Sequence, residues 1–192
     1  MKNIWDDKKL IDVLKEGGVV VMPTDTIYGI VGRADNQKTV ERIYKLKKRA
    51  LEKKCIILIG DWNETKNFGI DSSEFKIPET DKPTSFVLEN TAFRLPLKKE
   101  LRELLLATGP LIAPSANREG LPPAQNIEEA QNYFGLPAQA GDLVDPVRGR
   151  EGSQRPSTSN GVDLYVDGGE INGKPSKLIQ LRKDGSVDIL RD

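Results

Sequence analysis

This sequence predicts an α/β domain built on a largely mixed, twisted open sheet with flanking helices. Three observations carry that expectation. Short apolar runs such as "VVVM" (19–22) and "CIILI" (55–59) read as buried strands, because β-branched and aliphatic residues without polar interruption pack on a pleated surface. Other segments show apolar spacing near 3.6 residues, the mark of a helix buried on one face. The two kinds interleave irregularly and without a repeat, which argues for a mixed rather than a doubly wound sheet. At 192 residues and 37% hydrophobic content, one domain spanning 1–192 can bury a substantial core.

Each element has a local cause. Residues 5–16 form an amphipathic pattern closed by Gly17 and Gly18, and the strand 19–22 follows. Pro23 ends that strand's ladder, since it has no N–H to donate. A second helix is expected from Asn36 to Lys48, capped by Asp35 or Asn36, with Val40, Ile43, Tyr44 and Lys47 along one stripe. "CIILIG" is a strand, and its Cys55 is expected to be a small core residue. "SFVLE" and "AFRLP" flank Asn90 as short strands. "LKKELRELLLATG" (97–109) is a helix whose Leu97, Leu101, Leu104 and Leu105 are expected to face inward. "LIAPSAN" reads as strand then turn, and Asn126 with Glu129 resembles a capping box opening a short helix. "DLYVDGG" and the hairpin 177–190, turning at Asp184-Gly185, supply the last strands. The segment 141–161, rich in Gly, Pro, Ser and Arg, is expected to be a mobile loop.

Composition removes whole classes of chemistry. There is no histidine and one cysteine, so zinc sites of the usual N/S type, histidine triads and Cys–His nucleophile pairs are excluded. Reactions must rely on carboxylates, hydroxyls, amines, guanidiniums and backbone amides. Lys plus Arg equals Asp plus Glu at 29 each, so any anion site must be a local cluster. No apolar run approaches the roughly 18 residues of a membrane span, and "MKNIWDDKKLIDVLKEGG" does not read as a signal peptide, so a cytoplasmic location is expected.

Four stretches stand out. "PTDTIYG" (23–29) places two hydroxyls, a carboxylate and a phenol where a turn needs one Asx or Thr residue. "KLKKRALEKK" (45–54) holds six cations and one acid in ten positions; a solvated helix end explains them, and so does a polyphosphate guest. "APSANREG" (113–120) follows a strand with Ser115 and Asn117 two apart, as turn residues or as ligand contacts. Arg94 and Ser176 are unremarkable singly. Neither G-x-G-x-x-G after the first strand nor G-x-x-x-x-G-K-[ST] occurs, against Rossmann and P-loop nucleotide binding.

In order, "GGVVVMPTDTIYGI", "YKLKKR", "FRLP", "GPLIAPSANREG", "DGGEINGKPSKLIQL" and "ILR" resemble the YrdC family, the L-threonylcarbamoyladenylate synthases of tRNA modification, from about Leu14 to Arg191. The match is to its short, single-domain form. The resemblance implies a YrdC-like twisted open mixed sheet around a concave, positively lined cavity. It places Thr26, Tyr28 and Ser176 at the L-threonine end. Lys47, Arg49, Lys53, Arg94, Ser115, Asn117 and Arg191 go to ATP, with Lys47 and Arg49 as the catalytic pair. It also implies Mg²⁺ with the ATP, bicarbonate as third substrate, tRNA or double-stranded RNA as a further partner, and a downstream threonylcarbamoyl transferase. Asp25 is a conceivable metal contact through water. Ala50, "KKCI" and Lys177-Leu178 depart from the family pattern but leave the charged positions in place.

The implied reaction needs no covalent intermediate, which suits a chain without histidine. Two other readings use the same residues: an RNA-binding YrdC-like module, and a paralogue forming another carbamoyl-adenylate, like the YrdC-like domains of carbamoyltransferases in hydrogenase maturation. Aromatic content of 6% offers few stacking platforms for the first, and the cysteine-rich zinc modules of the second are missing.

Overall fold

The computed structural model describes residues 3–136 and 161–192. Helix α1 (Lys8–Lys15) is capped by Asp7, whose carboxylate accepts from the Leu10 N–H at 3.1 Å. Strand β1 (Val20–Pro23) and strand β2 (Tyr28–Arg33) form an antiparallel hairpin in which Pro23 still pairs, opposite Tyr28. Helix α2 (Gln37–Lys47) begins at Asn36, which caps the Thr39 N–H, and ends at Lys48 in the left-handed region, φ +51°. Strand β3 is Ile57–Leu58, and 3-10 turns follow at Trp62–Phe68 and Ser72–Glu74. Strands β4 (Thr84–Leu88) and β5 (Thr91–Arg94), helix α3 (Lys99–Thr108), strand β6 (Leu111–Ile112), helix α4 (Ile127–Phe134) and strands β7 (Leu164–Tyr165), β8 (Lys177–Leu181) and β9 (Val187–Arg191) complete the described chain.

The described strands make one sheet in the order β7-β1-β2-β6-β3-β5-β4-β8-β9. Pairing is mixed, as expected: β1/β7, β3/β5 and β4/β8 run parallel, and the remaining neighbours antiparallel. Both faces of β1 are covered, which accounts for its unbroken apolar run. Val19 and Val21 join Ile43 and Tyr44 of α2 and Phe134 of α4 in one core, while Val20 and Met22 join Leu10, Leu14, Leu101 and Leu105 of α1 and α3 in a second. A third core, around Phe86, Leu88 and Phe93, lies beneath the 3-10 turns. Cys55 is buried in the first core. No helix among the described residues is long and apolar enough to cross a membrane.

Several expectations shift. Leu97 precedes α3 and is 44% exposed, not inward, because the helix begins at Lys99 after an uncapped Lys98. "CIILIG" contributes two strand residues instead of six. The 141–161 loop falls, but for residue 161, outside the described residues. Strand β2 has no counterpart among the expected elements, because Gly29 and Gly32 dilute its apolar pattern. Gly32 is required by packing: a Cβ there would overlap Thr39 Cγ2 and sit 3.1 Å from the Gly18 carbonyl oxygen. Thr39 cannot turn aside, since its Oγ1 donates to the Gly17 carbonyl at 2.6 Å. Gly32→Ala is therefore expected to destabilise the fold by about 1–3 kcal/mol in urea denaturation. A neutral result would mean that α2 can lift from β2 at no cost.

Candidate functional site

The β1–β2 turn is braced from within. Thr24 Oγ1 donates to the Ile27 carbonyl at 2.8 Å, accepts from the Thr26 N–H at 3.3 Å and lies 3.1 Å from Thr26 Oγ1. The threonine hydroxyls thus serve the turn itself. Beyond it, Tyr28 is fully buried, and its hydroxyl donates to the Gly169 carbonyl (2.8 Å) and accepts from the Gly168 N–H (2.9 Å). Burial raises the Tyr28 phenol's pKa, and the Gly168 N–H opposes that rise.

Residues flanking this hairpin fall into two groups. The first sits where α2 ends. The 113–117 turn lies against β2 through Ala116 N–H to Tyr28 O (2.8 Å) and Ile30 N–H to Pro114 O (3.0 Å). Lys47, 2% exposed, reaches into that turn and donates to the Ser115 carbonyl, to Asn117 O at 2.7 Å and to Asn117 Oδ1 at 3.1 Å. All three ammonium donors are therefore engaged. Burial lowers the Lys47 pKa to about 8. Ser115 Oγ donates to Asn117 Oδ1 at 2.5 Å, and Asn117 Nδ2 donates to Leu121 O at 2.6 Å, so the turn is tied on both sides. Arg49 Nε donates to Lys53 O at 2.9 Å, and Lys53 pairs with Glu119. The Lys53 ammonium bond holds the Glu119 carboxyl below its ordinary range.

The second group lies at β4, β5, β8 and β9. Arg94, 4% exposed, places Nη2 2.9 Å from Asp25 Oδ1, and the Asp25 side chain is 2% exposed. Burial lowers the Arg94 pKa; Asp25 opposes the shift and the nearby Arg191 adds to it. Arg191 donates through Nε and Nη2 to the Ser176 carbonyl at 3.0 and 2.7 Å. Ser176 Oγ lies 2.8 Å from Ser85 Oγ, both buried.

The structure thus joins Lys47, Ser115 and Asn117 in direct contact, sets Arg49 and Lys53 beside them, and joins Ser176 to Arg191. It keeps Arg94 and Arg191 apart from the first group. Sequence reasoning missed Glu119, although it lies two residues after Asn117 in "APSANREG", and Ser85, which carries no signal. A shallow groove of about 800 Å³, lined by Lys15, Glu16, Arg33, Asp35, Asn36 and Lys38 among others, contains none of these residues.

A family model described as "Telomere recombination", for Sua5, YciO and YrdC, matches residues 12–140. The chain is 26% identical over 174 residues to the threonylcarbamoyl-AMP synthase of Photobacterium profundum, covering 75% of this chain and 92% of that protein. A variant of P. abyssi Sua5 superposes with a TM-score of 0.69 at 20% identity, over all of this chain and 57% of that one. The same protein complexed with L-threonine gives 0.63 at 21% identity, over 94% of this chain and 52% of that one. The chain belongs to the Sua5/YciO/YrdC family.

Proposed function

We propose that this protein is a cytoplasmic L-threonylcarbamoyladenylate synthase, which makes threonylcarbamoyl-AMP and pyrophosphate from L-threonine, bicarbonate and ATP for the t6A modification of tRNA. The observation that carries the reading is the meeting of Lys47 with Ser115 and Asn117, two motifs 68–70 residues apart, beside Arg49 and Lys53. The name of the Photobacterium relative supports it, as does the L-threonine complex of P. abyssi Sua5. In this reading the two groups line one cavity on either side of the β1–β2 turn.

The chemistry is a substitution at phosphorus. L-Threonine's amine adds to bicarbonate with loss of water, and an oxygen of the resulting carbamate attacks the α-phosphorus. The bond to the β-phosphate breaks, and pyrophosphate leaves. What the protein supplies is alignment and positive charge, one well-placed group contributing roughly 10²- to 10³-fold. Arg49 and Lys53 receive the phosphates. Lys47, its donors engaged, acts through its charge and by holding Ser115 and Asn117 in place. Thr26, Tyr28 and Ser176 form the threonine end.

Mg²⁺ enters as part of the nucleotide. The described residues contain no cluster of three acids, cysteines or histidines to hold an ion, and Asp25, paired with Arg94, is a poor contact for one. Ligation by the phosphates and water, the usual arrangement for this cation, fits those residues.

Pyrophosphate release should require ATP, L-threonine and bicarbonate together, and should fall sharply in excess EDTA. Protein that binds ATP yet releases no pyrophosphate above background with all three present would defeat the synthase reading.

A further inference from the structure

Asp25 has no local reason to be buried. The turn that carries it is already closed by Thr24, and an exposed aspartate would serve a turn equally well. Its side chain instead meets Arg94, at the end of β5. In the sheet order β5 lies three places from β2, so the contact joins segments that are not strand neighbours.

The pairing is also incomplete. Asp25 Oδ1 and Oδ2 and Arg94 Nε are buried and have no hydrogen-bond partner among the described residues, although Nη2 and Oδ1 lie 2.9 Å apart. Two charges withdrawn from water with poor alignment add little to stability, so stability alone does not explain the pair. Such a pair does fix where the turn sits. Thr26 follows directly, and its carbonyl packs so closely on Gly173 that a Cβ there would overlap it. Arg191, beside Arg94, holds the Ser176 carbonyl in the same segment.

We propose that Asp25 is a positioning residue: through Arg94 it holds the 24–27 turn, and with it Thr26, against the 173–176 segment that forms the amino-acid end of the site. This rests on the synthase reading for the identity of the substrate. Among the described residues no hydrogen bond or ion pair links the pair to the Lys47 group. With its guanidinium given to Asp25, Arg94 moves from the ATP set to the amino-acid end, so loss of the pair acts on L-threonine and leaves ATP binding in place.

Asp25→Asn and Asp25→Glu in the full chain test this by two readouts. In Asp25→Asn, amide hydrogen exchange at Thr24, Thr26 and Ile27 should accelerate at least tenfold while the α2 amides stay unchanged. In pyrophosphate release, KM for L-threonine should rise at least tenfold with KM for ATP within twofold, and Asp25→Glu should recover at least part of that rise. Unchanged exchange in the turn would overturn the proposal, as would equal rises in both KM values or a fall in kcat alone. If Asp25→Asn does not fold, Asp25→Glu is compared with wild type: faster exchange at Thr24, Thr26 and Ile27 with a rise in KM for L-threonine alone supports the proposal, and unchanged exchange or equal rises in both KM values overturns it. A wild-type protein that releases no pyrophosphate would defeat the synthase reading instead, and the exchange comparison would then decide the role of Asp25.

Discussion

Arg94→Met is expected to lower the free energy of unfolding by about 3–5 kcal/mol, because it strands a carboxylate inside the fold. Asp25, its side chain 2% exposed, has no partner in the described structure except Arg94, and methionine fills most of the arginine's volume without supplying charge. The effect is therefore electrostatic, and a second substitution shows it. Adding Asp25→Asn removes the stranded charge, so the double variant should be more stable than Arg94→Met alone by about 2 kcal/mol. Urea denaturation of the four proteins in the cycle gives the comparison. A loss below about 1 kcal/mol for Arg94→Met, or a double variant no more stable than that single one, would mean that the pair is solvated and unimportant.

The elements that were legible in the sequence are those whose signal is local. α2 announces itself by Asn36 and the Ile43–Tyr44–Lys47 stripe, and the β8–β9 hairpin by Asp184-Gly185, where Gly185 takes φ +88°. β2 was hidden because the glycines that let α2 approach it are the residues that erase a strand's apolar signature. The 3-10 turns at 62–74 are held by side-chain caps at Asp61 and Asp71 and show no hydrophobic period. Leu97 was misplaced because periodicity gives a helix's face more reliably than its first residue.

Of the candidate site, residue types were legible and partnerships were not. In "PTDT" both threonine hydroxyls serve the turn, and nothing nearby in sequence indicates that its acid answers an arginine on β5. "KLKKR" likewise looks like a row of equivalent cations. The fold separates them: Lys47 turns inward against the 113–117 turn, while Lys48 and Lys53 stay exposed. That difference arises from contacts across strands, which composition does not encode.

Lys47 therefore gives the second large effect, and its burial sets the pH at which it appears. The folded chain holds this ammonium at a pKa of about 8, against 10.5 for an ordinary lysine. Below pH 8 both folded and unfolded chains carry the proton, and the cost of burying the charge is constant. Between pH 8 and 10.5 the folded protein has released it and the unfolded chain has not, so unfolding takes up a proton and stability rises with pH. Over that window the gain is about 3 kcal/mol, and in the difference between wild type and Lys47→Met the other titrating groups cancel. Nucleotide affinity should move the opposite way. An anionic phosphate favours charged Lys47, so wild-type ATP affinity should hold steady below pH 8 and weaken above it, well before surface lysines titrate. Lys47→Met should bind ATP about 10- to 100-fold more weakly at pH 7, from the loss of a nearby positive charge and of the brace on Ser115 and Asn117, and show no such decline above pH 8. Arg49→Ala should weaken ATP at all these pH values, and Lys9→Ala on α1 at none. Isothermal titration across pH 7 to 10 measures all four proteins. Parallel profiles for wild type and Lys47→Met would show that the buried ammonium braces Ser115 and Asn117 without its charge being felt by the nucleotide.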